Sequence, residues 1–183
     1  MDSPTRVTLI RISIVAVLLA TGCPRPAPPL VEEVSIPFSE APTTEWIVAY
    51  RDQNDQGRIV QYVPAGQSAT AWTEMITVHG FRELEDTPSP EALMRQLHDT
   101  LREDCREVQW TPIETSAQDA AYEVIHRRCT EREPAYEIGR FMLGETYTYQ
   151  LTYQTKVESF SEAEREKWLA VLARSGVIQT LAP

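Results

Sequence analysis

The sequence predicts an α+β fold: a single antiparallel sheet of about seven strands, covered by two amphipathic helices, in the order βββαββββα. Short stretches of alternating apolar and polar residues recur across residues 45–183, separated by turn residues, as in hairpin-connected strands. Two longer stretches repeat apolar residues every three or four positions, as amphipathic helices do. Because two such helices can bury their apolar stripes against a sheet, we expect both on one face.

Three strands are expected before the first helix. Residues 46–51 alternate in polarity, and turn residues follow over 52–57. A second strand over residues 59–63 should therefore form a hairpin with the first. Residues 72–81 are rich in β-branched and aromatic side chains and form the third strand.

Both helices have recognisable ends. Ser89 is a favourable N-cap and Pro90 is tolerated in the first turn, so the first helix should begin there and end near Asp104. Ser161 begins a capping box that starts the second helix, and Gly176 is a suitable residue just past its end. The apolar faces are Leu93, Leu97 and Leu101 in the first helix and Trp168, Leu169, Val171 and Leu172 in the second.

Four further strands are expected between the helices, over residues 108–113, 121–129, 136–143 and 146–156. Gly144 and Glu145 suit a two-residue turn between the last two strands. In the last strand Tyr147, Tyr149 and Tyr153 share one face, and polar residues occupy the other. We expect the tyrosine row to belong to the core, and the polar face to be wet or only lightly covered.

Residues 1–22 have the organisation of a secretory signal peptide. A short polar start is followed by residues 12–20, of which only Ser13 is polar. Nine helical residues span about 14 Å, less than half of a ~30 Å hydrocarbon core, so this stretch is too short for a transmembrane helix. Small residues then precede Cys23, as a signal peptidase requires.

The stretch from Leu18 to Cys23 resembles a bacterial lipobox, although Ala20 stands where leucine is common. The resemblance implies that Cys23 is the first residue of the mature protein and carries fatty acyl chains that anchor it in the lipid bilayer. Pro24, in place of aspartate, implies sorting to the outer membrane of the cell envelope, facing the periplasm. An ordinary secreted protein, or an uncleaved anchor, is the alternative.

Residues 23–44 are expected to be the lipidated cysteine and a proline-rich tether. Residues 24–44 hold six of the thirteen prolines, which prevent helices and strand ladders from propagating. We therefore expect an extended segment without fixed contacts to the domain at 45–183, with residues 30–31 and 36–38 as the places where local contacts are most expected.

Length and charge limit the function classes. Removing residues 1–22 leaves 161 residues, enough for one domain with a core. The removed part contains two arginines and one aspartate, so the net charge changes from −10 to about −11. Such a surface repels nucleic acid and anionic headgroups, so we expect no nucleic-acid partner.

Cys105 and Cys129 are expected to form a disulfide, because two cysteines of an exported domain usually pair. Both lie twelve residues from a turn centred near residue 117, which places them opposite each other in a hairpin. A metal pair and a redox pair are the alternatives. The chain has no CxxC, and His126 is the one histidine close in sequence to either thiol.

No catalytic motif is found, and we expect neither an enzyme nor a cofactor. His79, His98 and His126 lie on different predicted elements, so no metal site is expected from them. The side chains selected as a candidate ligand or partner surface are Trp72, Glu74, Met75, Tyr149 and Trp168.

Residues 62–67 read Tyr-Val-Pro-Ala-Gly-Gln, and residues 72–77 read Trp-Thr-Glu-Met-Ile-Thr. This pair of motifs resembles a family of uncharacterised exported bacterial proteins, with looser similarity over residues 45–178. The resemblance implies a fold similar to that of DcrB-like lipoproteins and PsbP-like photosystem proteins. It implies no activity.

Two functions from different classes are therefore considered. The first is a non-enzymatic, membrane-anchored envelope lipoprotein that binds or scaffolds a partner protein. The second is a module that binds a small apolar ligand or lipid between sheet and helices, in a pocket lined by Trp72, Met75, Tyr149 and Trp168. An enclosed apolar cavity above roughly 300 Å³ would favour the second. A hydrolase is the least favoured alternative.

Overall fold

The computed structural model describes residues 30–42, 45–82, 88–156 and 160–181. The expectations about the signal peptide, Cys23 and the first residues of the tether lie outside these ranges. None of the helices formed by the described residues has both the length and the hydropathy needed to cross a membrane.

A seven-stranded, fully antiparallel sheet forms the centre of the fold, as the sequence predicts. Its strands in chain order are β2 (Trp46–Gln53), β3 (Gly57–Pro64), β4 (Glu74–Arg82), β5 (Cys105–Thr115), β6 (Asp119–Cys129), β7 (Ala135–Leu143) and β8 (Tyr147–Thr155). Their order across the sheet is β2-β3-β4-β8-β7-β6-β5. The predicted β2–β3 hairpin is present, with a register shift between Val48 and Tyr50.

Two helices pack on this sheet, α1 (Pro90–Asp104) and α2 (Glu162–Arg174). The Ser89 hydroxyl accepts a hydrogen bond from the N–H of Ala92, and Ser161 and Glu164 complete a capping box. Both helices therefore begin where their N-cap residues place them. Gly176 does not terminate α2 in a left-handed conformation, since it is the first residue of another strand.

A second, two-stranded sheet was not predicted. Strand β1 (Leu30–Ser35) pairs antiparallel with β9 (Gly176–Leu181), so the expectation of a single sheet is wrong. A short 3-10 turn, Phe38–Glu40, connects β1 toward β2. Val34, Ile36, Phe38 and Ala41 pack against the main core. The expectation that the tether makes no fixed contact is therefore wrong for residues 30–42, because these apolar side chains cover part of the core. The contacts of Ile36 and Phe38 fall where local contacts were most expected.

The two helices lie on opposite faces of the sheet, which corrects the expectation that both cover one face. Trp168 and Val171 of α2 pack with Tyr153 and Ile76 in one core cluster. Met94 and Leu101 of α1 pack in a second cluster with Tyr122, Val124 and Phe141. Strand β7 contributes to both clusters, because its alternate residues point to opposite faces.

The polar face of β8 is also buried in part, contrary to expectation. Thr148 and Thr152 are both buried, and they alternate with the core tyrosines along the strand. The row of Tyr149 and Tyr153 belongs to the core as predicted, and Tyr147 packs against it.

The β7–β8 turn is shifted by one residue from the prediction. Leu143 pairs with Thr148, and the N–H of Gly144 donates to the carbonyl of Tyr147 at 2.9 Å. The two central residues are therefore 145 and 146, so glycine is not needed for the turn conformation. Glycine is needed at position 144 to leave space for the Glu32 carboxylate, because a Cβ there would lie 2.5 Å from Oε1 of Glu32.

The predicted disulfide is confirmed. Cys105 and Cys129 are bonded and directly paired across the β5–β6 hairpin, with their Cα atoms 3.8 Å apart. The bond joins the C-terminal end of α1 to the end of β6.

Candidate functional site

Three of the residues proposed for a surface are core residues. Met75, Tyr149 and Trp168 are 3%, 0% and 1% exposed. They cannot contact a partner on the folded protein, so this expectation is corrected for them. Their large apolar side chains made them candidates, but the same property places them in the core.

These residues also lie on opposite faces of the sheet. Met75 pairs with Gln154 and therefore shares its face. Tyr149 alternates with Gln154 along β8, and Trp168 stacks on Tyr153 at 3.9 Å on the tyrosine face. The sheet itself separates Met75 from Tyr149 and Trp168, so the predicted pocket does not form.

Trp72 and Glu74, the remaining two, are half-buried. Trp72 precedes β4, and the ammonium group of Lys156 lies 4.4 Å from the centre of its ring. Glu74 pairs with Thr155 on the tyrosine face. Trp72 therefore contributes to a surface site, whereas Glu74 lies on the other side of the sheet from Met75.

A surface depression of about 930 Å³ lies between the N-terminal part of α2 and strands β5 and β6. We name it the α2 groove. Its lining residues are Glu107, Glu123, Ile125, Arg127, Arg128, Glu133, Pro134, Ala135, Tyr136, Lys156, Phe160, Glu162 and Arg165. The groove exists because α2 packs on β7 and, through Trp168, on Tyr153 of β8, but leaves part of this face of β5 and β6 open.

The floor of the α2 groove is apolar and partly aromatic. Ile125 and Tyr136 are paired residues on adjacent strands, so their side chains point the same way. The ring of Phe160, next to the N-cap of α2, stacks on Tyr136 with centroids 4.7 Å apart. The floor thus offers apolar contacts to an occupant.

One wall of the groove is a partly buried ion pair between strand and helix. Arg165 donates from Nε and Nη2 to both carboxylate oxygens of Glu123, at 2.6 to 2.9 Å. Tyr136 donates its hydroxyl hydrogen to the same carboxylate. Burial acts to raise the pKa of Glu123, but the hydrogen bonds from Arg165 and Tyr136 outweigh it and hold the pKa below its usual value.

The same contacts act on the partners of Glu123. Burial, and then the hydrogen bond and charge of Glu123, raise the pKa of Tyr136 far above its usual value. The Tyr136 hydroxyl therefore stays protonated and donating. This wall is a fixed, fully paired structure rather than a poised acid or base.

The rim of the groove has balanced charge in a strongly acidic chain. Arg128 pairs with Glu107 at 2.8 Å, and Lys156 pairs with Glu133. Arg127 lies directly opposite Glu107 across β5 and β6, but Glu107 pairs with Arg128, and Arg127 has no ion-pair partner among the described residues. Its guanidinium can donate hydrogen bonds to a carboxylate of an occupant of the groove.

A smaller pocket of about 390 Å³ opens on the other face of the sheet, and we name it the Trp72 pocket. Its lining residues are Ala69, Thr70, Trp72, His126, Arg132, Glu133, Ala135, Gln154 and Lys156. Glu133, Ala135 and Lys156 also line the α2 groove, so the two depressions adjoin at this end of the sheet. Its lining is largely polar, unlike that of an apolar-ligand site.

Behind the Trp72 pocket lies a buried polar network. Tyr122 donates to Oε1 of Glu137 at 2.5 Å, and Gln154 donates to Oε2 at 2.6 Å. Gln150 donates to the Tyr122 hydroxyl at 2.9 Å. Burial, and then the charge of Glu137, raise the pKa of Tyr122 well above its usual value. Since both oxygens of Glu137 have donors, we interpret this network as structural.

Sequence reasoning missed the α2 groove. Glu123 and Arg127 flank Ile125 on one side of β6, and two charged residues at strand spacing on that side indicate that no helix covers it. The positions of Glu123 and Arg127 could therefore have been used to predict an open surface on β6. The contribution of Phe160 and Arg165 could not be predicted from the sequence, because it depends on where α2 packs on the sheet.

No protein-family model and no curated protein matches this chain.

Proposed function

We propose that this protein is a lipid-anchored, non-enzymatic lipoprotein of the bacterial envelope that binds a segment of a partner protein in the α2 groove. The single observation that carries the binding role is this open groove, with an aromatic floor and with Arg127, for which the described residues provide no ion pair. The lipobox-like stretch ending at Cys23 supports anchoring at the membrane, with the outer membrane as the site.

The groove favours a polypeptide over a small ligand. Charged residues line the groove beside its apolar floor, so a polypeptide occupant can contact apolar floor and polar rim together. The occupant that fits is a segment with apolar side chains for Ile125 and Phe160 and a carboxylate for Arg127. The alternative is binding of a small apolar ligand or lipid. The pocket predicted for it does not form, since the sheet separates Met75 from Tyr149 and Trp168.

Site-directed photo-cross-linking in native membranes tests this proposal. Gln109 is exposed and pairs directly with Ile125, so a photoreactive residue at 109 samples the groove. Thr100, exposed on α1, serves as the matched position on the opposite face. We expect a discrete adduct from position 109, none from position 100, and loss of the adduct in Arg127→Glu.

An adduct that survives Arg127→Glu, or equal adducts from positions 109 and 100, would contradict the groove. Position 48 provides a second comparison. Val48 and Tyr50 are 49% and 45% exposed on the edge strand β2, which is another apolar surface. Cross-linking from position 48 but not from 109 would show that the partner binds at β2, and it would overturn the proposal.

A further inference from the structure

The surroundings of the disulfide contain a third metal-binding side chain. The sulfur atoms of Cys105 and Cys129 and a ring nitrogen of His126 all lie within 4.8 Å of one another. Nδ1 of His126 is 3.4 Å from Sγ of Cys129. We propose that, once the Cys105–Cys129 disulfide is reduced, these three side chains bind one Zn²⁺ ion.

The spacing fits a tetrahedral zinc ion. Zinc binds thiolate sulfur at ~2.3 Å and imidazole nitrogen at ~2.0–2.1 Å, so a sulfur and a nitrogen on one tetrahedral ion are ~3.5 Å apart. The separation between His126 and Cys129 already has this value. Two thiolates on one ion are ~3.8 Å apart, and breaking the S–S bond allows that separation.

The strands hold all three ligands without further folding. Cys105 and Cys129 are a directly paired couple, and His126 pairs with Val108 on the same hairpin. Arg128, between His126 and Cys129, has a φ of 55°, and this left-handed residue breaks the regular strand alternation. His126 and Cys129, three residues apart, are therefore able to approach each other.

A carboxylate is close enough to complete the ligand set. Oδ2 of Asp104 lies 4.0 Å from Sγ of Cys105. The other oxygen, Oδ1, accepts hydrogen bonds from the N–H groups of Thr130 and Glu131 at 3.1 and 3.2 Å. This side chain is thus already oriented, and either Asp104 or a water molecule can occupy the fourth position.

The chemistry requires a reductant, which we take to be a dithiol. A dithiol transfers two electrons and two protons: its own sulfurs form a disulfide, the Cys105–Cys129 bond breaks, and two thiols result. Zinc then binds both sulfurs as thiolates and releases the two protons. A disulfide acceptor reverses the reaction: its own S–S bond takes up the two electrons and two protons from solvent, the Cys105–Cys129 bond re-forms and the ion is released. The site therefore exists in the reduced protein alone.

Cobalt binding to the purified full chain tests this proposal. All variants carry Cys23→Ser, so that Cys105 and Cys129 are the only thiols. We expect the reduced protein to bind one equivalent of Co²⁺ with thiolate-to-metal charge-transfer absorption that Zn²⁺ abolishes, and the oxidised protein to show none. His126→Gln should weaken binding about tenfold or more, whereas His79→Gln, on another strand, should not change it.

Folding is monitored in the same samples by circular dichroism. If reduction alone unfolds the protein, Zn²⁺ should restore the native spectrum of the reduced chain but not that of its His126→Gln variant. The proposal is overturned by absence of the charge-transfer band, by equal Co²⁺ affinity with and without His126, or by a reduced, unfolded chain that Zn²⁺ does not refold.

Discussion

Gly139 illustrates how a single residue enables the core beneath α1. The buried ring of Tyr122 lies over its Cα, and a Cβ at 139 would be 2.2 Å from Cζ of that ring. Trp110 stacks on Tyr122 with centroids 4.7 Å apart, so the ring cannot move aside freely. Space, rather than backbone conformation, therefore requires glycine at this position.

We expect Gly139→Ala to lower the free energy of unfolding by about 1–3 kcal/mol, the usual range for overpacking. Gly176→Ala is the matched control, because a Cβ there would meet nothing within 4 Å. Urea unfolding of both variants checks this. Equal stability of Gly139→Ala and wild type would show that the Tyr122 ring relocates easily.

His79 gives the fold a dependence on pH. Its ring lies 4.1 Å from that of Phe81, and burial lowers its pKa below the usual 6.5. The unfolded chain therefore binds a proton in a pH range where the folded protein does not. Its stabilising contribution is complete above pH 6.5 and is lost as the pH falls toward the lowered pKa.

We therefore expect the stability of the wild type to fall more between pH 7.5 and 5.5 than that of His79→Gln. Denaturant titrations of both proteins at the two pH values measure the difference. Parallel losses in the two proteins would mean that His79 titrates alike in the folded and unfolded states.

At the scale of elements, strand β1 is attached through one carboxylate. The side chain of Glu32 is buried and accepts hydrogen bonds from the N–H groups of Glu145, Thr146 and Tyr147 at the β7–β8 turn, the shortest at 2.6 Å. Arg58, placed over the ring of Tyr147, donates to the carbonyl of Glu32. These contacts fix the position of the small sheet on the large one.

We expect Glu32→Ala to speed amide hydrogen exchange in β1 and β9 by about tenfold or more, since a hydrogen bond to a charged acceptor contributes about 1.5–3 kcal/mol. Glu33→Ala, at the exposed neighbouring position of β1, is the control and should change little. Unchanged protection in Glu32→Ala would show that strand pairing alone holds β1.

Local signals at the ends of elements predicted much of the fold. Ser89 and Ser161 determine the helix starts, and the symmetry of Cys105 and Cys129 about residue 117 determines the hairpin register. The β1–β9 pairing was missed because its partners lie at opposite ends of the described chain. Neither six-residue strand has a local sequence feature that identifies the other as its pairing partner.

At the scale of the whole molecule, the proposed attachment to a membrane rests on residues outside the described ranges. The acidic surface of the chain repels anionic lipid headgroups. Two or three acyl chains on Cys23 would anchor it stably, because each buried CH₂ contributes ~0.8 kcal/mol.

We expect Cys23→Ser to leave an unlipidated protein that no longer enters the detergent phase in a phase-partitioning experiment. A variant at Ala20, such as Ala20→Leu, keeps the modified cysteine and serves as the control that should partition like the wild type. Partitioning of Cys23→Ser equal to wild type would refute the lipid anchor.

The sequence by itself determined the seven strands of the main sheet and the two helices, where the helices begin, and which cysteines pair. These features depend on periodicity and on contacts close along the chain. Only the tertiary structure decided that α1 and α2 cover opposite faces, because an apolar stripe shows that a helix is buried but not against which face. The α2 groove follows from that docking: Arg165 and Phe160 meet Glu123 and Tyr136 only after α2 has packed on the sheet.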